Sequence, residues 1–254
     1  MKRSRTFLNV RSEPKVSSNN IIGQLLYGEP ILKEEQTNNP RWLKVKAKIS
    51  TGEEKEGFVS ARFLRESVVE PRELLMYNAV KEWVRFNYGK GKEDQDPYYK
   101  YIGEMWKLIG MDLDGKDRDV PWSAAYISYV VRNSGNEYAG FRFAAAHARY
   151  IHDSIAKRKV NTEAPFWGYR LHEEKPALGD MVCAWRVNRI DYDFAETHDA
   201  FKSHCDIIIE VKDKSIKAIG GNVANSVTIK TFSLDDRGYL KATNNVFALL
   251  KNRT

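Results

Sequence analysis

A chain of 254 residues is too long for one small module and short for three domains, so two domains are the natural expectation. Hydrophobic residues at 42% and aromatic residues at 12% are enough to build real cores and exclude an intrinsically disordered chain. No segment approaches the roughly 18–20 uninterrupted apolar residues of a membrane helix. The first ten residues, MKRSRTFLNV, contain no apolar segment of the kind found in a signal peptide. We therefore expect no membrane insertion and no signal peptide in this sequence.

The positive charge is unevenly distributed. The 41 basic and 34 acidic residues give a net charge of +7, and residues 1–66 hold thirteen of the basic and eight of the acidic ones, a net +5. A basic segment favours an anionic partner such as nucleic acid, an acidic wall polymer or a membrane surface, although a solvated basic face gives the same count. No dense basic stripe is interleaved with stacking aromatic residues, so nucleic acid is disfavoured.

Residues 6–66 consist of short apolar segments separated by turn residues, and this spacing predicts five strands in a small β-barrel. In the fourth segment the apolar residues alternate from Leu43 onward, which predicts one buried face. A Tyr-Gly-Glu-Pro turn at 27–30 precedes the third strand. The five segments are FLNV (7–10), IIGQLL (21–26), PILKE (30–34), RWLKVKAKI (41–49) and GFVSARFL (57–64).

The order of four motifs in this region resembles bacterial SH3-type domains. The motifs are LNVRSEP (8–14), IIGQLLYGEPI (21–31), RWLKVKA (41–47) and EGFVSARFL (56–64). Phe58 stands where the family usually has Trp, and Glu13 where it usually has Gly, and neither change disturbs the fold. The resemblance implies binding to cell-wall peptide or a spacer role, and both remain open.

Residues 67–77 are predicted to be a linker that runs into a helix, and residues 78–254 to form the second domain. Helical periodicity predicts helices over 73–88, 97–110, 122–135 and 144–159. From about residue 178 the pattern predicts strands. Helices followed by an antiparallel sheet give an α+β fold. The predicted strands are 180–187, 205–212, 215–221, 226–232 and 245–251.

The segment PWSAAYISYVV (121–131) places Ser123 in the first turn of a hydrophobic helix. The free N–H groups and positive dipole end of such a turn favour a developing oxyanion. The alternative is that Ser123 is only the N-cap of the helix, which is a common role for serine.

The segment SHCDIII (203–209) places a histidine and a carboxylate on one strand face. Alternation puts His204 and Asp206 on the same face and Cys205 on the other. The pair fits a base and its orienting partner, or equally a structural pair at a strand edge. Asn222, in the glycine turn that follows, is able to orient a neighbouring imidazole.

The order of these pieces resembles the papain-like peptidoglycan hydrolases of the NlpC and CHAP superfamily, whose corresponding stretches read like PWCAAFV, PGDIVVF, GHVGIVV and GGN. Three motifs agree more closely with a bacterial family catalogued as domain of unknown function 2272. They are AAHARYI (145–151), GDMVCAWR (179–186) and SHCDIII. The resemblance implies a papain-like domain of helices packed on an antiparallel sheet.

The resemblance implies that Ser123 occupies the position of the nucleophilic cysteine, that His204 is its base, and that Asn222 or Asp206 orients the imidazole. A thiol is partly ionised near neutral pH, whereas a hydroxyl needs a well-placed base. The alternative is a site without activity that only binds wall peptide.

The two cysteines, Cys183 and Cys205, are too few for a disulfide framework and lack metal-ligand spacing. We expect them on neighbouring strands, facing away from the histidine face. A disulfide in an oxidising compartment is open. A cysteine nucleophile on an altered frame is the remaining alternative, although Cys205 fits a core position better.

Four further residues are candidates for substrate binding. His147 shares a helix face with Tyr150, and is either a cleft residue or a hydrogen-bonded core histidine. Asp119 is placed to recognise the cationic amine of a stem peptide. Trp122 and Trp185 either line a cleft or belong to the core. The nearby MDLDGKDRD (111–119) departs from calcium-loop spacing, so we expect no metal there.

The two resemblances together imply a peptidoglycan hydrolase, an amidase or endopeptidase that cleaves an amide bond in the stem peptide or cross-bridge without a cofactor. Its partner would be peptidoglycan or wall peptide, and its place of action the cell envelope, the periplasm or the outside of the cell. The alternative is a non-catalytic wall-binding protein with a degenerate papain-like cleft.

Overall fold

The computed structural model describes residues 7–26, 28–29, 31–49 and 51–254. The chain divides between Val68 and Val69 into two compact units. The first contains a small antiparallel sheet and the second contains helices and a larger antiparallel sheet, so the predicted α+β class is confirmed. Within the described ranges, no helix combines the length and the apolar composition that crossing a bilayer requires.

The first unit is a five-stranded antiparallel sheet, and each of its strands overlaps one of the five segments that the sequence predicts. Val10, Val45 and Val59 are fully buried at its centre, together with Leu25. The strands lie in the order β2-β1-β5-β4-β3. Their bounds are β1 (Phe7–Arg11), β2 (Ile21–Leu26), β3 (Leu32–Gln36), β4 (Trp42–Lys48) and β5 (Glu54–Ser60).

The fifth strand lies earlier than the predicted 57–64. Its pairing with β4 runs from Glu54 opposite Lys48 to Ser60 opposite Trp42, so β5 ends where its partner begins. A short 3-10 helix, Ala61–Phe63, follows. Tyr27 and Pro30 of the predicted turn lie outside the described residues.

The helices of the second unit include the four that the sequence predicts. The first begins at Glu70, inside the range predicted as a linker, because a proline and two acidic residues favour the first turn of a helix. The fourth begins at His147, three residues later than predicted, because the backbone of Ala144 is hydrogen-bonded to Ser128. The short fifth helix was not predicted. The bounds are α1 (Glu70–Arg85), α2 (Tyr98–Leu108), α3 (Ser123–Arg132), α4 (His147–Lys159) and α5 (Tyr192–Thr197).

The strands of the second unit form one antiparallel sheet in the order β10-β9-β8-β7-β11-β6. The five predicted strands are present, and the short edge strand β6 was not predicted. Strand β8 is the longest and contacts α1, α3 and α4. The bounds are β6 (Phe166–Tyr169), β7 (Met181–Trp185), β8 (Ser203–Lys212), β9 (Ser215–Gly220), β10 (Thr228–Ser233) and β11 (Val246–Asn252).

Asp180, in the Gly-Asp motif before β7, connects the start of that strand to the end of β11 through hydrogen bonds. Its fully buried carboxylate accepts the backbone N–H of Ala177 at 2.7 Å and that of Asn252 at 2.9 Å. The ammonium of Lys251 lies 2.8 Å from the same carboxylate. The motif therefore has a structural role that is sufficient to explain it.

We expect Asp180→Asn to lower the free energy of unfolding by about 2–4 kcal/mol. The amide N–H of asparagine would face a backbone N–H, so that two donors meet, and the charge of Lys251 would lose its partner. Chemical denaturation measures this. The matched control is Asp236→Asn, since Asp236 pairs with Lys214 on the surface and its removal costs less than about 1 kcal/mol. Equal effects of the two substitutions would contradict the structural role.

Candidate active site

Ser123 is the first residue of α3 and is 7% exposed. Its Oγ lies 2.7 Å from Nε2 of His147. Trp122 holds the N-cap position, so the N-cap alternative for Ser123 is wrong. Its hydroxyl instead contacts an imidazole beside the free N–H groups at the start of the helix.

His147 is the first residue of α4, and its ring is buried between α3 and β8. Its Nδ1 accepts the backbone N–H of Cys205 at 3.2 Å and also contacts the hydroxyl of Tyr150. Burial lowers the pKa of His147 well below its ordinary value, and the nearby His204 adds to this effect. His147 is therefore neutral in the folded protein near pH 7.

His204 and Asp206 share a face of β8 as predicted, and Nε2 of His204 lies 3.0 Å from Oδ1 of Asp206. The ammonium of Lys230 on β10 lies 2.6 Å from Oδ2. Burial by itself would raise the pKa of Asp206, but His204 and Lys230 beside the carboxylate outweigh it and lower the pKa to about 2. Burial lowers the pKa of His204, and Asp206 opposes that shift.

The His204–Asp206 pair requires a glycine on the neighbouring strand. Gly220 is the last residue of β9, and a Cβ there would lie 1.9 Å from Oδ1 of Asp206 and 2.8 Å from Nε2 of His204. The next inward position of β9 is Ala218, which faces Lys230 in the register of the sheet. Two small residues on β9 thus leave the space in which Lys230 reaches Asp206.

The two pairs form one cluster, because the ring centroids of His147 and His204 are 5.1 Å apart. We call Ser123, His147, His204 and Asp206 the serine–histidine cluster. It brings together a hydroxyl, two imidazoles and an ionised carboxylate, which are the groups that acyl transfer uses. In the described part of the chain, no three His, Cys, Asp or Glu side chains are placed to hold a metal ion.

Asn222 adopts a left-handed backbone conformation (φ 53°) in the loop after β9. Among the described residues, no hydrogen bond joins its amide to His147 or His204. Of the two orienting residues that the sequence predicts for His204, only Asp206 is hydrogen-bonded to it.

The predicted substrate-binding residues other than His147 lie in different environments. Trp122 is 2% exposed, stacks on Phe86 and donates its Nε1–H to Glu93 at 2.7 Å, as expected of a core residue. Trp185 is half-buried at the end of β7, and Asp119 is exposed in the loop before α3. Their part in substrate binding stays a prediction.

Cys183 and Cys205 face each other in the register of β7 and β8, so the prediction that they lie on neighbouring strands is confirmed. Both thiols are free and fully buried. Burial raises the pKa of Cys205 well above its ordinary value, which keeps this thiol protonated and argues against its use as the nucleophile.

Lys230 and the direct contact of His147 with Ser123 were not predicted from the sequence. A signal for Lys230 exists, because alternation in VTIKTF places it between Thr228 and Phe232 on one face of a predicted strand. A lysine on a partly apolar face indicates a buried anion. No comparable signal existed for His147, whose partner lies 24 residues away on another helix.

A family model described as an uncharacterised protein conserved in bacteria (DUF2272) matches residues 88–251, which is more than half of the chain. The chain belongs to this family. The DUF2272 match includes the whole serine–histidine cluster, and it confirms the resemblance drawn from the three motifs. The wider relation to papain-like hydrolases stays a prediction.

A second family model, described as a bacterial SH3 domain, matches residues 6–65, and this also confirms the resemblance. Bacterial SH3 domains typically bind peptidoglycan, so the match suggests binding to the cell wall and a location there or outside the cell. No curated protein and no solved structure matches the chain.

We expect Gly220→Ala to disrupt the His204–Asp206 pair, because the added methyl group overlaps Oδ1 of Asp206. The free energy of unfolding of the Gly220→Ala variant should be about 1–3 kcal/mol lower than that of wild type, as for other overpacked sites. Gly140→Ala is the control, since the nearest atom to its Cβ is 3.4 Å away on Pro165. Thermal unfolding compares the two, and equal shifts would show that the space beside Asp206 is not required.

We expect the second unit to lose stability as the pH falls from 7 to 5. The folded-state pKa of His147 is lowered, so its contribution is complete above about pH 6.5, where the unfolded chain is also neutral, and is lost below it. One such histidine contributes at most about 2 kcal/mol over this interval, at about 1.4 kcal/mol per pH unit. Urea denaturation at both pH values should show a smaller loss for His147→Gln than for wild type. The control His172→Gln, at an exposed position, should lose as much stability between the two pH values as wild type. A loss of stability for His147→Gln equal to that of wild type would contradict the prediction.

Proposed function

We propose that this protein is a peptidoglycan hydrolase in which Ser123 attacks an amide carbonyl of the stem peptide or cross-bridge. The observation that carries the proposal is the serine–histidine cluster, in which a hydroxyl at a helix N-terminus lies beside two imidazoles and an ionised carboxylate. A nucleophile, a base and a carboxylate that orients the base are the groups that acyl transfer requires.

His204 is the base in this proposal. Asp206 is ionised and only accepts hydrogen bonds, so Nε2 of His204 carries the proton that they share. The Nδ1 atom of His204 then has a free lone pair, and among the described residues it has no hydrogen-bond partner. Lys230 keeps Asp206 ionised, which fixes this arrangement of protons.

The reaction follows the logic of acyl transfer. Oγ of Ser123 forms a bond to the carbonyl carbon while its proton passes to Nδ1 of His204. The carbon–nitrogen bond then breaks, the same proton passes to the leaving amine, and a serine ester remains. Water then attacks the ester carbon and gives one proton to Nδ1 of His204. The bond from that carbon to Oγ breaks, His204 passes the proton to Oγ, and the carboxylic acid leaves. The N–H groups at the start of α3 stabilise the oxyanion in both steps.

The first unit supports the choice of substrate. It matches a bacterial SH3 domain and carries a net charge of +5 over residues 1–66. Wall polymers are anionic, so a basic module that binds them raises the concentration of peptide bonds near the second unit.

A wall-binding protein without hydrolytic activity is the second candidate, and the burial of the cluster favours it. Ser123, His147 and His204 are 7%, 4% and 2% exposed, which leaves little access for a substrate without local movement. On this alternative the cluster stabilises the fold, and the first unit accounts for binding.

The test is digestion of purified peptidoglycan with identification of the products by mass. Wild type should release fragments, and Ser123→Ala should reduce the rate by about 10³-fold or more. Ser123→Cys should retain measurable activity because the thiol is a nucleophile of the same geometry. The control Ser233→Ala, at an exposed position of β10, should match wild type.

Full activity of Ser123→Ala would contradict the proposal. Absence of fragments from wild type and every variant, with binding to sacculi intact, would identify the second candidate instead. The masses of the fragments distinguish an amidase from an endopeptidase.

A further inference from the structure

Both histidines of the cluster carry their proton on Nε2, but His204 donates it to Asp206 and His147 donates it to Ser123. The reason for the arrangement at His147 lies in the pairing of β8. The N–H of Ile208 donates to the carbonyl of Asp180 on the β7 side. Backbone N–H groups alternate in direction along an antiparallel strand, so those of Ile207 and Cys205 point toward β9. Strand β9 ends at Gly220, one residue before it would lie opposite Cys205. Nδ1 of His147 takes the free N–H instead.

A backbone N–H only donates, so Nδ1 of His147 has its lone pair at this contact and carries no proton. The hydroxyl of Tyr150 also contacts Nδ1, and a hydroxyl is able to donate to it. A neutral imidazole without a proton on Nδ1 has it on Nε2. That atom lies 2.7 Å from Oγ of Ser123. His147 thus donates to the serine and has no lone pair with which to take the serine proton.

We infer that His147 is a neutral hydrogen-bond donor that stabilises the oxyanion formed when Ser123 attacks, rather than the base that activates Ser123. This inference rests on the proposed hydrolase function. Oγ and the oxyanion are bonded to the same carbon in the tetrahedral intermediate, so a donor in contact with Oγ is close to the oxyanion. Nε2 of His147 acts there together with the N–H groups at the start of α3. The two histidines thereby have different roles. His204 accepts the proton of Ser123, and His147 stabilises the negative charge of the oxyanion.

The surroundings of His147 keep it neutral. Burial is the largest effect that lowers its pKa, and the positive groups around it act in the same direction, whereas only Asp206 opposes them. A neutral imidazole keeps its donor through the reaction without a change of protonation. The groups that face His147 are Tyr150 on its own helix, Cys205, His204 and Asp206 on β8, Lys230 on β10 and Arg186 after β7.

The test compares the rates of wild type, His147→Gln, His147→Leu and His204→Gln on purified peptidoglycan between pH 5 and 9. His147→Gln keeps an N–H donor and should retain activity within about tenfold of wild type, whereas His147→Leu removes the donor and should lose about 10²–10³-fold. Both should keep the shape of the wild-type pH profile, because the base is unchanged. His204→Gln should lose activity and the acid limb of the profile with it.

Two results would overturn this inference and leave the hydrolase proposal standing, provided that wild type releases fragments. One is that His147→Gln is as inactive as His204→Gln, and the other is that the pH profile of His147→Gln lacks the acid limb. No fragments from wild type would overturn the hydrolase proposal and the oxyanion role with it. Nitrogen-15 NMR of the full chain tests the donor directly in either case. It should find the His147 proton on Nε2, and a proton on Nδ1 would overturn the assignment.

Discussion

The candidate site depends on the point at which β9 stops. One residue more of regular pairing would have covered the N–H of Cys205, and a side chain at Gly220 would have occupied the space of the Asp206 carboxylate. Because β9 ends at a glycine, the N–H of Cys205 on β8 has no partner on β9. For the same reason, the space beside the Asp206 side chain is left unfilled. His147 binds the donor, and the His204–Asp206 pair occupies the space. A local defect in the sheet thus creates both halves of the cluster.

The second constraint is the cost of burying charge. An isolated carboxylate in the position of Asp206 would be neutralised by its desolvation, and Lys230 prevents this by supplying a cation at 2.6 Å. The lysine is itself partly exposed, so its own desolvation is incomplete. The ion pair therefore leaves both imidazoles free to remain neutral. A second buried positive charge on His147 would be repelled by Lys230 and Arg186, which is consistent with its lowered pKa.

The sequence predicts those features that depend on local periodicity. Alternation along 203–209 is enough to place His204 beside Asp206, and the start of a hydrophobic helix is enough to place Ser123 at its N-terminus. The partners of Ser123 and Cys205 could not be read in this way, because His147 meets them across 24 and 58 residues through the packing of α4 on β8. Predicting α4 to begin at residue 144 also placed His147 inside the helix rather than at its first position. The Gly-Gly-Asn motif favoured Asn222 as an orienting residue, but its backbone has a left-handed conformation and its amide is not hydrogen-bonded to His204.

The chemistry of the cluster gives a reason for a serine, and not a cysteine, at the position of the proposed nucleophile. A thiolate in this position would be a buried anion, stabilised only by a neutral N–H donor and the helix N-terminus, since His147 does not become an imidazolium. A serine hydroxyl stays neutral until it attacks, so the resting protein does not bear the desolvation cost of a buried anion. The hydroxyl does require a base when it attacks. In the proposed mechanism His204 is that base, and Asp206 and Lys230 fix its proton on Nε2. The proton positions of the two histidines and the identity of the nucleophile are therefore consistent with each other.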